Sequence, residues 1–310
     1  MVHGYTMPRA VWQRVLDSRL ADVARRYDMY LDLFVANKAL LIHVPKTGGT
    51  SFEDALFNVH NRSQHAPLRY WKARLDAPTY DALYKFAIVR HPFHRLVSGY
   101  TYWKDGALEG QVADHPFVHR CRTELDTLPK FVAYLGEVHR TGQWDERDVQ
   151  GCDGTCPIQF RPQAWFFLAR AGDRWNGVEE ADTLDTADVV GAAWGLRELN
   201  LLGRFEDLHD AYRRVVGALG DHHQPNAPPP LHPASISTSA STGTGSAGNG
   251  STAAADLQRT ATWTRELPHT RASLHPPTLP PCFQDASFVR SVLDVYGVDF
   301  IAFGYSPDVY

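Results

Sequence analysis

Apolar side chains recur at helical spacing over residues 8–34: Val11, Trp12, Val15, Leu16, Leu20, Val23, Tyr27 and Tyr30 alternate with Arg and Asp. That period predicts an N-terminal amphipathic helix. Its apolar stripe fits packing on the core, and a homo-oligomer contact is the alternative use of the same face. The pattern then changes. Ala39-Leu-Leu-Ile-His-Val44 is a short continuous apolar run, as in a parallel strand buried on both faces. It breaks at Pro45, and residues 52–59 return to helical spacing. Lys85-Phe-Ala-Ile-Val89 repeats the pattern, with a turn at Arg90-His-Pro92 and a helix through Tyr100. Leu199-Asn-Leu-Leu-Gly203 is a third such strand, followed by Arg204-Phe-Glu-Asp-Leu208 and a helix to about Leu219. Strand, loop and helix in repetition imply the α/β class, here a P-loop-like parallel sheet flanked by helices with right-handed crossovers. Near the C-terminus, residues 288–296 have helical periodicity, and Asp299-Phe-Ile-Ala-Phe-Gly-Tyr305 is expected to close the domain.

From Pro225 to Ala255 the chain turns to Pro, then to Ser, Thr, Gly and Ala. Such a tract buries too little apolar surface to offset its ordering entropy, so the expectation is a disordered insertion within a single domain spanning residues 1–310.

With 310 residues, 44% of them apolar and 21% charged, the chain has the means to fill a sizeable core. A net charge of −4 argues against a general nucleic-acid binder. The charge is uneven, however. Residues 43–104 hold nine Lys and Arg against four acids, a local +5 that leaves −9 for the remainder. A basic field inside an acidic protein suits a small anionic ligand. No apolar h-region opens the chain and no apolar run approaches the roughly 20 residues of a membrane span, so a soluble, cytoplasmic protein is expected. Of four cysteines only Cys152 and Cys156 are close, with no second metal-type pair beside them. Free thiols are the default expectation, with a local disulfide as the alternative.

Candidate chemistry begins where the first strand ends. Pro45-Lys-Thr-Gly-Gly-Thr-Ser51 is a glycine-rich turn between a buried strand and a helix, a place where backbone N–H groups and a helix N-terminus close around an anion. Thr47, Gly48, Gly49, Thr50 and Ser51 are the candidate phosphate cradle, and Lys46 is the cation beside it. The rival reading is a kinase or nucleotide triphosphatase. A Walker A loop, however, places lysine after its last glycine, whereas Lys46 precedes both glycines here. At the end of the second strand, Arg90 can fork onto a phosphate, and Ser98, eight residues on, can return from the following helix to the same ligand.

These two segments together resemble the sulfotransferases that use 3′-phosphoadenosine 5′-phosphosulfate (PAPS), in particular the branch that contains carbohydrate sulfotransferases. Pro45-Lys-Thr-Gly-Gly-Thr-Ser51 is similar to that family's 5′-phosphosulfate loop, and Val89-Arg-His-Pro-Phe-His-Arg-Leu-Val-Ser-Gly-Tyr100 to its 3′-phosphate motif. Weaker echoes are Arg161-Pro-Gln163, Gly203-Arg-Phe-Glu-Asp-Leu208 and Asp299–Tyr305. The resemblance implies PAPS as co-substrate, no metal, and a hydroxyl-bearing acceptor such as a glycan or glycolipid. It assigns Lys46 to the leaving group, the residues from Thr47 to Ser51 to the 5′-phosphate, and Arg90 with Ser98 to the 3′-phosphate. It also points to a histidine or a glutamate as the base. His65 is the first candidate for it, with His60, His43 and Glu53 behind, while Glu206 reads as a structural anchor. Arg161, Gln163, Trp165 and Phe166 suit either an acceptor cleft or a buried aromatic stripe. A catalytically silent module that binds PAPS or a nucleotide is the reading from another class.

The composition of the insertion makes a first prediction. Deleting residues 231–255 should shift the thermal midpoint by no more than about 2 °C, less than ~1 kcal/mol for a chain of this size. Loss of folding on deletion would show that the tract packs against the domain.

Overall fold

The computed structural model describes residues 30–59, 65–105, 116–142, 144, 158–168, 195–220 and 278–308. Of the segment expected to form an N-terminal helix only its end is described, with residues 30–36 (α1) helical. Residues 8–29, the 225–255 insertion, His60, Cys152 and Cys156 lie outside the described residues.

Three parallel strands form one sheet in the order β1 (Ala39–Ile42), β2 (Tyr84–Val89), β3 (Leu201–Arg204). Leu41 pairs with Phe86, and Ile88 with Gly203. β1 is shorter than its apolar run, because the run continues past the ladder into the loop: His43 and Val44 are buried but lie beyond β1. β2 begins one residue before its run, and β3 is shifted along its own, with Leu202 and Arg204 exposed because it is an edge strand buried on one face. The mixed α/β class expected from the sequence is what forms.

Helices α2 (Gly49–Phe57), α3 (Leu68–Arg74) and α4 (Ala77–Ala82) connect β1 to β2. The Asp76 carboxylate caps α4 by accepting from the Thr79 N–H at 3.0 Å. The Lys85 ammonium closes the other end, donating to the carbonyls of Tyr80 at 2.8 Å and Leu83 at 3.0 Å. A lysine is tolerated in this buried strand because it neutralises a helix C-terminus. Burial lowers its pKa.

Beyond β2 come α5 (Pro92–Lys104), α6 (Pro116–Thr123) and α7 (Leu128–Thr141). In α7 the buried positions Leu128, Phe131, Val132, Leu135 and Val138 keep strict helical spacing. After β3, a 3-10 turn at Phe205–Asp207 leads into α8 (Leu208–Gly220). The last helix, α9 (Ala286–Phe303), is started by the Asp285 side chain and ended by Gly304 at φ 62°. It runs straight through the segment that sequence alone left as a separate closing piece.

Two apolar clusters result. One surrounds the sheet, with Leu40, Leu41, Phe52, Trp71, Phe86 and Tyr212. The other lies among α5, α6, α7 and α9, where Trp103, Phe117, Phe131, Phe160 and Tyr296 meet. No helix among the described residues is long and apolar enough to cross a membrane.

A short 3-10 turn at Gln163–Phe167 packs its apolar side chains into the cluster around the sheet, and α9 holds its start. The Asp299 carboxylate, fully buried, accepts from the N–H groups of Gln163 and Ala164, both at 2.8 Å. Burial pushes this carboxyl up to about 6, against the pull of the Arg95 charge and the two N–H donors. Asp299→Ala would strip the acceptor from two buried amides. Urea unfolding should register a loss on the order of 2–5 kcal/mol, since each unsatisfied buried group costs roughly 1–3 kcal/mol.

Candidate functional site

Because the strands are parallel, the loops leaving their C-terminal ends gather on one side of the sheet, where open α/β folds bind ligands. These loops begin at His43, at Arg90 and at Phe205.

The first loop is tightly wound. Lys46 has φ 67° and Gly48 φ 86°, so the chain enters α2 through two left-handed residues. Its glycines answer different demands. At Gly48 the backbone is left-handed, and an added Cβ would also sit 3.0 Å from a Leu208 methyl and 3.2 Å from the Phe205 ring. At Gly49 a Cβ would collide with the His43 imidazole. The Thr47 hydroxyl, buried, donates to the Val44 carbonyl at 2.8 Å and so closes the loop from within. Thr50 and Ser51 are half-buried in the first turn of α2, whose N-terminus brings partial positive charge to the loop. The Lys46 ammonium lies 4.1 Å from the centre of the Tyr102 ring on α5, a cation–π contact.

The second loop is pinned from several sides. The Gln163 side chain, with no exposed surface, accepts from the Arg90 N–H at 2.9 Å and donates to the Arg90 carbonyl at 2.8 Å. Glu206 accepts from the His91 N–H at 2.8 Å and from the Tyr305 hydroxyl at 3.0 Å. The His91 Nε2–H donates to the Ser306 carbonyl at 3.3 Å. The Arg90 side chain is thereby aimed across the Phe205 ring, 4.0 Å from its centre, with Nη1 donating to the Lys46 carbonyl at 3.4 Å. Two motifs 44 residues apart thus meet at one point. Arg95, one turn into α5, ties the first loop to α5 by donating to the carbonyls of Pro45 at 2.9 Å and Gln159 at 2.8 Å. Ser98 lies one turn further along the buried face of α5.

Two histidines complete the site. The His43 Nδ1–H donates to the Glu53 carboxyl at 2.9 Å, both side chains being almost wholly buried. Burial first and the Lys46 charge second hold His43 down to about 3, so this is a hydrogen bond from a neutral imidazole and not an ion pair. His65 packs edge-on against it, with ring centres 4.5 Å apart, and its Nδ1 lies 3.2 Å from the His43 carbonyl. A carbonyl can only accept, so Nδ1 carries a proton, and in the neutral form of the ring the lone pair is on Nε2.

The structure thus brings Lys46 to Arg90, and His65 to His43. It does not place Gln163 or Arg161 in an open cleft. Gln163 braces the Arg90 main chain. Arg161, itself buried, stacks 4.3 Å from the centre of the Trp165 ring, which Arg69 faces at 4.6 Å. Sequence reading missed the pairing of His43 with Glu53. Its one local signal is that the two residues bracket the loop, ten positions apart.

A lysine and an arginine beside a glycine-rich helix start make this end of the sheet a candidate anion site. Residues 32–105 match the model of the Sulfotransferase family, a stretch that includes both motifs, and the chain thus carries a sulfotransferase-family segment. No curated protein and no solved structure matches the chain.

The state of His43 sets a pH dependence. The unfolded chain gains a proton at this histidine near its ordinary value of 6.5, whereas the folded one stays neutral down to about 3. Stability fully present above pH 6.5 is therefore lost as the pH falls towards 3. Thermal midpoints between about pH 8 and about pH 4 should fall on acidification, and His43→Asn should make that fall shallower. Equal slopes would show that His43 carries no share of it.

Proposed function

We propose that the chain transfers a sulfuryl group from PAPS to an acceptor hydroxyl, on a carbohydrate or glycoconjugate. The observation that carries this reading is the meeting of the Lys46 loop with Arg90, one cation suited to the transferred group and one to a second phosphate. The residues fit such a donor. The α2 N-terminus and the backbone of residues 47–51 offer amide donors to a 5′-phosphate, and the paired glycines leave no Cβ in the loop's narrowest part. Arg90, together with Ser98, serves the 3′-phosphate that separates PAPS from simpler nucleotides.

In the reaction the acceptor oxygen forms a bond to sulfur as the bond from sulfur to the bridging oxygen of the 5′-phosphate breaks, leaving 3′-phosphoadenosine 5′-phosphate (PAP). Negative charge grows on that bridging oxygen, and Lys46 stabilises it more strongly in the transition state than in the ground state. The acceptor proton passes to His65 Nε2, the nitrogen left with its lone pair by the bond to the His43 carbonyl.

Calorimetry without Mg²⁺ tests the reading. PAP should bind far better than AMP or ATP, and comparable affinities for PAP and ATP would overturn it in favour of a nucleotide triphosphatase or kinase. Arg90→Ala should cost PAP roughly 1.5–3 kcal/mol, as for a charged hydrogen-bonded contact. Transfer of labelled sulfate from PAPS across glycan, lipid and phenolic acceptors identifies the product. With an acceptor in hand, Lys46→Ala should slow turnover at saturating substrates. His65→Ala should keep PAP affinity while turnover falls by roughly 10²–10⁴-fold. PAP binding without any transfer would favour a silent binding module.

A further inference from the structure

The His43–Glu53 pair has no part in the transfer just described, yet it occupies the base of the loop on which the transfer depends. His43 follows β1 directly, and Glu53 lies within α2. The five residues 44–48 that separate β1 and His43 from α2 form the loop itself. The 2.9 Å bond from Nδ1 to Oε1 therefore joins the chain entering the loop to the helix leaving it. The other edge of the same imidazole fills the space beside Gly49, where a Cβ would overlap it. One ring is thus held by a carboxyl on one side and presses the first residue of α2 on the other. It has no room to turn, with 2% of its surface exposed against 1% for Glu53.

We propose that His43 and Glu53 are positioning residues that fix the width of the donor loop and hold its amides in the geometry that receives the donor anion. This inference rests on the sulfotransferase reading of the site. It requires a donor at the place of Nδ1 and an acceptor at the place of Oε1, rather than bulk alone. A ring donor locked by a carboxyl sets the loop more firmly than apolar packing, because the bond has a direction and a fixed length.

The experiment exploits two pairs of substitutions, with PAP affinity read by calorimetry and the unfolding midpoint recorded for each variant. An asparagine at position 43 places an amide N–H near the position of Nδ1, while a glutamine fills more of the ring's volume and places its amide near Nε2. His43→Asn should therefore stay within about threefold of wild-type PAP affinity, and His43→Gln should weaken it by about tenfold, the worth of roughly one hydrogen bond. From the other side, Glu53→Gln keeps an acceptor oxygen and should stay within about threefold, whereas Glu53→Met, of similar length without an acceptor, should lose about tenfold. A purely space-filling role predicts the reverse order at position 43 and no difference at position 53. If His43→Gln fails to fold, the Glu53 pair decides. Equal PAP affinities within both pairs, in a wild-type chain that binds PAP, would overturn the clasp and leave the sulfotransferase reading standing. A wild-type chain that does not bind PAP would overturn both.

Discussion

A buried peptide group without a partner is costly, and the chain leaving β2 at Arg90 presents two polar groups beyond the reach of the sheet. The Gln163 amide takes both, acting as a substitute strand of one residue. Asp299 in turn fixes Gln163 through its main chain, and Glu206 holds His91 next door. The segments that carry only faint family resemblance, around residues 161–163, 203–208 and 299–305, therefore share one task. They hold the strand end from which the Arg90 guanidinium is aimed.

The basic field of residues 43–104 divides into charges with quite different work. Lys85 closes a helix end, and Lys72 pairs with Glu198 at 2.7 Å, so neither adds to a ligand field at the loop. Arg95 is an internal brace whose donors go to main-chain carbonyls. Among the described residues, Lys46 and Arg90 are the charges that meet at the loop, linked through the Lys46 carbonyl. Two cations beside a helix N-terminus supply a preorganised positive potential, which is what the proposed transfer would draw on.

Histidine chemistry at the site is likewise settled by what each ring must donate to. His43 gives its Nδ1 proton to Glu53, and burial keeps it neutral. His65 gives its own to a carbonyl, which in a neutral ring puts the lone pair on Nε2. Burial also lowers the pKa of His91 and His94, in the latter case with the help of the Arg90 charge. At His43, His91 and His94 burial thus works against a positive charge, which leaves lysine and arginine as the cations of the described loop.

What the sequence by itself determined was whatever depends on neighbours along the chain. Continuous apolar runs fixed the three parallel strands, and the order of lysine, glycines and hydroxyls marked the anion loop, because both are properties of a few consecutive residues. Helices α3, α4 and α6 are too short for an apolar period to stand out, and α7, though regular in its spacing, carries none of the motifs that order the rest. Tertiary structure decided the rest. It made α9 a single helix through Asp299, since a carboxylate there is needed by amides 135 and 136 residues away. It turned Gln163 from a possible cleft residue into a brace, and it joined His43 to Glu53 across a loop. In each case a buried polar group had to find a partner, and which partner lay within reach was set by how the elements packed, not by their order in the chain.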